Sequence, residues 1–370
     1  MTPVTPAPTG AREEAPSPAA PAGMSGRARF LAAVNRQPVD RTPVWFMRQA
    51  GRCLPEYRAL RERHDFLTVA RTPELAAEAT MMPVDRLGVD GAVLFADIML
   101  PLDGMGVEFR IDPGIGPVIE RPIRTAADVA RLRVGRAEES TPYVLDALRL
   151  LRGELGERAA LLGFAGAPFT LACYLVEGRG SREFPRAKAM MYGDPGTWHT
   201  LMDVITETTI DYLRAQATAG ADVVQLFDSW LGLVGPDTYA NSVLPYTSRI
   251  FGALRGTVPT IHFSTGTPTL LDQIAASGCD AVSVDWRLPL NVAWDRIGHD
   301  RTIQGNLDPT LVLAPWEAVE AGATDVLRRA AGRPGHIFNL GHGIIPATDP
   351  DTLARLVDLV HAHPPGTAPA

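Results

Sequence analysis

The chain of 370 residues has a single lysine, Lys188; every other basic residue is arginine or histidine. Any chemistry that needs a lysine Schiff base must therefore use that one position. Cysteine is scarce as well. Cys53, Cys173 and Cys279 are odd in number and widely spaced, so they form neither a disulfide framework nor a metal-type pair, and a reducing cytosol is the expected compartment. No apolar run approaches the roughly 18 residues of a membrane span. An excess of positive charge is also missing. Lys+Arg number 35 against 42 Asp+Glu, for a formal net charge of −7, which argues against nucleic acid or an anionic membrane as partner. No GxGxxG follows the first strand candidate, which counts against a dinucleotide fold.

What remains is ordinary globular composition. Short apolar, β-branched runs recur: TPVWFM (42–47), GAVLF (91–95), AALLGF (159–164), DVVQLF (222–227), PTIHFS (259–264), AVSVD (281–285), TIQGN (302–306) and HIFNL (336–340). Segments of helical period separate them, among them 73–88, 195–220, 268–278, 314–332 and 349–362. Several open on Pro or Asp and close at Gly, the usual start and stop signals. Continuous rather than alternating apolar strands indicate a parallel sheet covered on both faces. Eight strand–helix units predict an α/β fold, a (β/α)8 TIM barrel, with a doubly wound sheet as the rival. We expect one barrel domain over 25–362, interrupted by an inserted hairpin within 107–123. Residues 1–24, rich in Pro and Ala, resemble neither a signal nor a transit peptide. They are expected to form a disordered extension, and 363–370 a flexible tail.

In such a barrel the chemistry sits at the C-terminal ends of the strands. The polar residues there are Arg48, Gln49 and Arg52 after the first strand, Asp97 after the second, and Tyr174 beyond the third. Phe227, Asp228 and Ser229 follow, then His262 and Ser264, Asp285, Asn306, and finally His342. Arg48 and Arg52 offer forked donors suited to carboxylates, or they pair with acids across the mouth. Asp97 closes an apolar run and needs an N–H partner or a cation, which a nearby arginine could also supply. His342, between glycines after the last strand, can serve a phosphate or a carboxylate. Tyr174 fits either a substrate contact or a core position with a capped hydroxyl. His262 lacks the neighbouring soft ligand of a His-x-Cys zinc arrangement, so no metal is expected. GRGSRE (178–183) carries a weak anion-site signal. Lys188 lies off the strands, and His361 and His363 read as solvated.

The segments PVWFMRQAGRCLPEYR (43–58) and GFAGAPFTLACYLVEGRGS (163–181), with LFADI, FDSW and NLGHGI in order, resemble the signatures of the uroporphyrinogen decarboxylase family. The similarity runs from about Arg27 to about Asp358 and departs at Cys53, where the family usually has tyrosine. It implies a single barrel, a homodimer with facing clefts, no cofactor, and removal of carbon dioxide from four acetate side chains of uroporphyrinogen III to give coproporphyrinogen III. By the same matching, Arg48, Arg52 and His342 would hold substrate carboxylates and Asp97 would face the pyrrole N–H groups as an anion. Tyr174 and Ser229 would position the reacting acetate, and Gln49 and Phe227 would line the pocket. The proton donor is expected among the side chains near Arg48. Two other readings are a zinc-dependent corrinoid methyltransferase of the same superfamily and a non-catalytic tetrapyrrole-binding protein.

Overall fold

The computed structural model describes residues 23–112 and 114–363; most of the N-terminal extension and the tail from 364 lie outside them. Its strands are β1 (Gly91–Val93), β2 (Phe109–Asp112), β3 (Gly116–Ile119), β4 (Ala160–Gly166), β5 (Val223–Asp228), β6 (Thr260–Ser264), β7 (Ala281–Ser283), β8 (Thr302–Gln304) and β9 (His336–Ile337). Seven of them form one sheet in the order β1-β4-β5-β6-β7-β8-β9, and β2 pairs only with β3. All six pairings in the large sheet are parallel.

The residues around Val44 join the two edges of that sheet. On one side the Phe338 N–H donates to the Pro43 carbonyl (2.9 Å) and the Trp45 N–H to the Phe338 carbonyl (3.3 Å). On the other, the Asp90 N–H donates to the Val44 carbonyl (2.8 Å), and the Val44 N–H donates to the Asp90 carboxylate (2.9 Å). This segment takes the eighth place and closes the (β/α)8 barrel. It is a bridge rather than a full strand because Pro43 has no N–H to give and the chain turns at 46–49.

Inside the ring, polar side chains bond to one another. The Trp45 indole donates to Gln304 Oε1 (2.9 Å), and Gln304 Nε2 donates to Gln225 Oε1 (3.0 Å) and Ser283 Oγ (2.8 Å). All four are fully buried, so the interior is a packed, hydrogen-bonded core. Alternation along the strands follows from this inward placement of Gln225. Phe227 then faces inward, whereas Asp228 turns toward the outer helices, where it accepts from Thr170.

The helix signals act where expected. Pro73–Leu87 ends on left-handed Gly88, Pro195–Thr218 is capped by Asp194, which accepts the Thr197 N–H, and Pro350–His361 is capped by Asp349. The antiparallel pair β2–β3 lies off the barrel, and the Ile119 N–H extends it to the Gly178 carbonyl (2.8 Å).

One sequence-based expectation fails at the N-terminal end of the barrel. His361 is not solvated: its Nε2 lies 2.7 Å from the Asp90 carboxylate, which also takes Arg29 Nη1 at 2.5 Å. Arg29 Nε and Nη2 bond Asp40 as well (2.6 and 2.8 Å). Packing of the last helix against the barrel floor makes the contact, which no local pattern announces. His363 likewise has a partner, its Nδ1 being 2.7 Å from the Leu359 carbonyl.

Candidate active site

Residues 46–49 form a tight turn at the end of the closing segment. The Gln49 N–H donates to the Phe46 carbonyl (3.1 Å), and Gln49 Oε1 accepts the Phe46 N–H (3.0 Å). Gln49 Nε2 donates to the Gly91 carbonyl (2.9 Å). Both ends of this amide are spent on backbone and the residue is fully buried, so its side chain offers no free group to the mouth. Gln49 instead braces the turn that carries Arg48. Arg48 takes φ = +62°, a conformation that costs a non-glycine residue about 1–3 kcal/mol and tends to survive at functional sites. Gly51 is required nearby, since a Cβ there would meet the Arg48 carbonyl oxygen at 2.6 Å.

Arg48 and Arg52 are exposed. Among the described residues neither side chain makes an ion pair or a hydrogen bond with protein. Arg48 runs across the last strand's loop: a Cβ on Gly343 would lie 2.5 Å from Arg48 Cδ. It is thereby beside His342, whose Nδ1 accepts the Gly343 N–H (2.7 Å). With Nδ1 accepting, the proton of the neutral ring is on Nε2, assigned from the hydrogen bond. Burial, with the positive charges of Arg48 and Arg287, pushes His342 down to about 4, so at neutral pH it is an uncharged N–H donor.

Asp97 is partly open to solvent yet ringed by protein. Its hydrogen bond within the protein is the Met99 N–H on Oδ1 (2.9 Å), and no arginine pairs with it among the described residues. Burial raises its carboxyl above the usual range, opposed by the Met99 N–H and the charge of Arg48. Tyr174 is half-buried. Burial raises its phenol, and the negative charge of Asp97 adds to the rise. The charge of Arg48 thus reaches Asp97, Tyr174 and His342, and that of Asp97 reaches Tyr174.

An aromatic wall completes the mouth. Phe227 meets Phe164 and Phe263 edge to face (5.4 and 5.5 Å), and Phe263 meets His342 (5.9 Å). Ser229 follows the end of β5, two residues after Phe227, its carbonyl accepting the Thr265 hydroxyl (2.9 Å). Two residues beyond the sequence-based set matter here. Trp230 packs against Tyr174 (6.1 Å), and its backbone N–H reaches Thr170 Oγ1 (3.4 Å), whose hydroxyl donates to buried Asp228 (2.8 Å). Arg287, paired with Asp285 (2.5 Å), adds positive charge near His342. The position of Trp230 beside Ser229 in FDSW was the available signal; Arg287 had none.

Cys53 is buried and its thiol pushed up to about 11 by that burial, so the departure from tyrosine falls in the packing beneath the loop. His262 is fully buried behind the wall, 3.7 Å from Asp228. Among the described residues no group of three or more His, Cys, Asp or Glu could hold a metal. Lys188 Nζ donates to the Leu233 carbonyl (3.2 Å). No described helix is long and apolar enough to cross a membrane.

The sequence profile described as uroporphyrinogen decarboxylase (URO-D) matches residues 25–363. The chain is 50% identical to uroporphyrinogen decarboxylase of Roseiflexus sp. (strain RS-1), over 90% of this chain and 98% of that protein. It is 53% identical to the protein of that name from Syntrophotalea carbinolica, over 90% and 96%. Among solved structures, a methyltransferase from Methanosarcina mazei superposes with a TM-score of 0.74 at 22% identity, covering 91% of this chain and 98% of that one. A putative vitamin-B12-independent methionine synthase from Listeria monocytogenes gives 0.54 at 10%, covering 88% and 96%. Those two likenesses speak for the fold alone, whereas the profile and the relatives of about half identity reach the motifs of the mouth. The chain belongs to the uroporphyrinogen decarboxylase family.

Proposed function

We propose that this protein is a carboxy-lyase, a uroporphyrinogen decarboxylase, which converts the four acetate side chains of uroporphyrinogen III to methyl groups and yields coproporphyrinogen III. The reading is supported by two arginines of one loop, Arg48 and Arg52, that have no ionic partner among the described residues, and by Asp97, which feels the charge of Arg48 and has the Met99 N–H as its hydrogen bond. Anionic anchors and a cation-stabilising group are what this reaction asks of a protein.

An electron-rich pyrrole can serve as its own electron sink. A proton added to a ring carbon makes a cation conjugated to the acetate methylene. Breaking the bond to the carboxylate carbon returns its electron pair to that cation, releases carbon dioxide and leaves a neutral exocyclic methylene. A proton then adds to the methylene and the ring carbon loses its own. The net change per side chain is one proton consumed, one carbon dioxide released and one methyl group formed.

Arg48 and Arg52 take carboxylates by forked hydrogen bonds, and neutral His342 gives its Nε2–H to another. Asp97 accepts pyrrole N–H groups. Those donors and the developing cation pull its carboxyl in the direction opposite to burial, so the charge is in place where the cation forms. Tyr174 and Ser229 position the reacting acetate, and Phe227 packs the macrocycle. The first proton reaches the ring through groups beside Arg48, because a guanidinium is in general too weak an acid to give up a proton directly.

The proposal includes a homodimer in the cytoplasm working without metal or cofactor. The family relationship supports the dimer, and the engagement of the sole lysine with a carbonyl supports the absence of Schiff-base chemistry. Incubating the purified protein with uroporphyrinogen III and separating the oxidised products tests the reading. Coproporphyrin and intermediates of five to seven carboxylates are expected; unchanged starting material from well-folded protein rejects it.

A further inference from the structure

Beside the mouth lies a second group of arginines that the decarboxylation itself does not use. A cavity of about 350 Å³ is lined by Glu177, Arg179, Gly180, Ser181, Pro185 and Arg186. Arg124 lies against its edge from a distant part of the chain: its Nη2 donates to the Glu177 carbonyl (3.2 Å) and would lie 3.8 Å from a Cβ on Gly178. Partial burial and the adjacent charge of Arg186 lower the Arg124 guanidinium. Among the described residues Arg124, Arg179 and Arg186 are in no ion pair. Glu177 is the acid of the lining, and its carboxylate accepts the Arg186 backbone N–H (3.1 Å) at the start of helix Pro185–Gly193; Asp128, near Arg124, accepts the Arg124 backbone N–H (2.8 Å) and pairs with Arg131 (2.5 Å). Three guanidinium groups thus stand near two carboxylates, Glu177 and Asp128, both of which already hold other partners.

This cluster is held to the mouth at two points. The Gly178 N–H donates to the Tyr174 carbonyl (2.8 Å), and three residues of helix place Glu177 only about 5 Å along the axis from Tyr174. At the other end of the loop Phe184 packs on Tyr174 (5.9 Å) and Trp230 (4.9 Å). The Val118–Arg179 bridge braces the loop from outside against β3.

We propose that Arg124, Arg179 and Arg186 form a rim subsite that holds carboxylates of the tetrapyrrole other than the one reacting. The inference rests on the proposed substrate. A macrocycle with eight carboxylates around its edge cannot bring all of them to Arg48, Arg52 and His342 together. On a protein of net charge −7, an unpaired basic rim also draws the polyanion to the correct face.

The test uses the full chain with Arg179→Gln and Arg186→Gln combined. Neither side chain is part of the catalytic set, and both residues are exposed. With uroporphyrinogen III, KM should rise roughly three- to tenfold, as expected for two solvent-facing charge contacts, with kcat within twofold. The fall of kcat/KM with added salt should be shallower than in the unsubstituted protein. Quenching of uroporphyrin fluorescence, with the oxidised octacarboxylate as probe, should show the same loss of affinity. Unchanged KM, affinity and salt dependence overturn the proposal, as does a change in oligomeric state with binding intact. If the double variant does not fold, Arg179→Gln alone carries the test, with about a twofold effect expected. A protein that binds uroporphyrin through these arginines but never releases carbon dioxide would refute the reaction and leave the subsite standing.

Discussion

The two ends of the barrel use the same side chains to opposite effect. On the floor, Arg29, Asp40, Asp90 and His361 are mutually bonded at 2.5–2.8 Å, and Asp90 also holds the closing segment through Val44. At the mouth, Arg48 and Arg52 stand without a carboxylate, and Asp97 has one backbone N–H. A buried charge with a partner locks structure, whereas a desolvated charge without one is costly and keeps its binding capacity for something else. The floor is built for stability and the mouth for a ligand.

The sharpest way to break this contrast is Asp97→Asn. Turnover should fall roughly 10²–10³-fold, the scale of one preorganised electrostatic group. Stability should move the other way. A carboxyl whose folded pKa is raised disfavours the folded state as pH climbs from its unfolded value through the folded one, so at neutral pH the anion is a burden that asparagine removes. Thermal melting at pH 7 should show an equal or higher Tm. A lower Tm, or activity within a few-fold, would place Asp97 with the floor residues.

Asp90→Asn should do the reverse. Leaving Arg29 and His361 short of their partner is expected to cost about 3 kcal/mol in urea unfolding, while kcat of the folded protein stays within twofold. A loss below about 1 kcal/mol would show the floor cluster to be dispensable.

A smaller effect is expected from His342. Its folded value of about 4 lies below the ordinary 6.5, so the stability it confers is full above pH 6.5 and drains away as pH falls toward 4. His342→Gln should lose less stability than the unsubstituted protein across that window. His336, also depressed to about 4 by burial, acts in both proteins and cancels in the comparison. Parallel curves of Tm against pH would contradict the assignment of a neutral, half-buried ring.

Much of this was legible along the chain. The eight apolar runs place the barrel strands, and the polar residues directly after them include most of the mouth, because strand ends are both a local pattern and a functional location. Gln49 shows where that logic stops. It sits between two exposed arginines in sequence, but the tight turn at Arg48 rotates it inward onto Gly91. His361 fails similarly, because a polar residue near a chain end has no local mark of a buried carboxylate 271 positions away. Arg124 is the third case, reaching the loop after Tyr174 from 53 residues before Glu177.

By itself, the sequence determined the class of fold, the family and the chemistry available. Hydrophobic period, capping residues and short motifs are local properties, and a chain with one lysine and no cysteine pair restricts its own mechanisms. The tertiary structure alone decided which charges meet. Ion pairing and desolvation depend on distances between elements remote in sequence, so only the closed barrel separates the paired carboxylate of Asp90 from the unpaired one of Asp97.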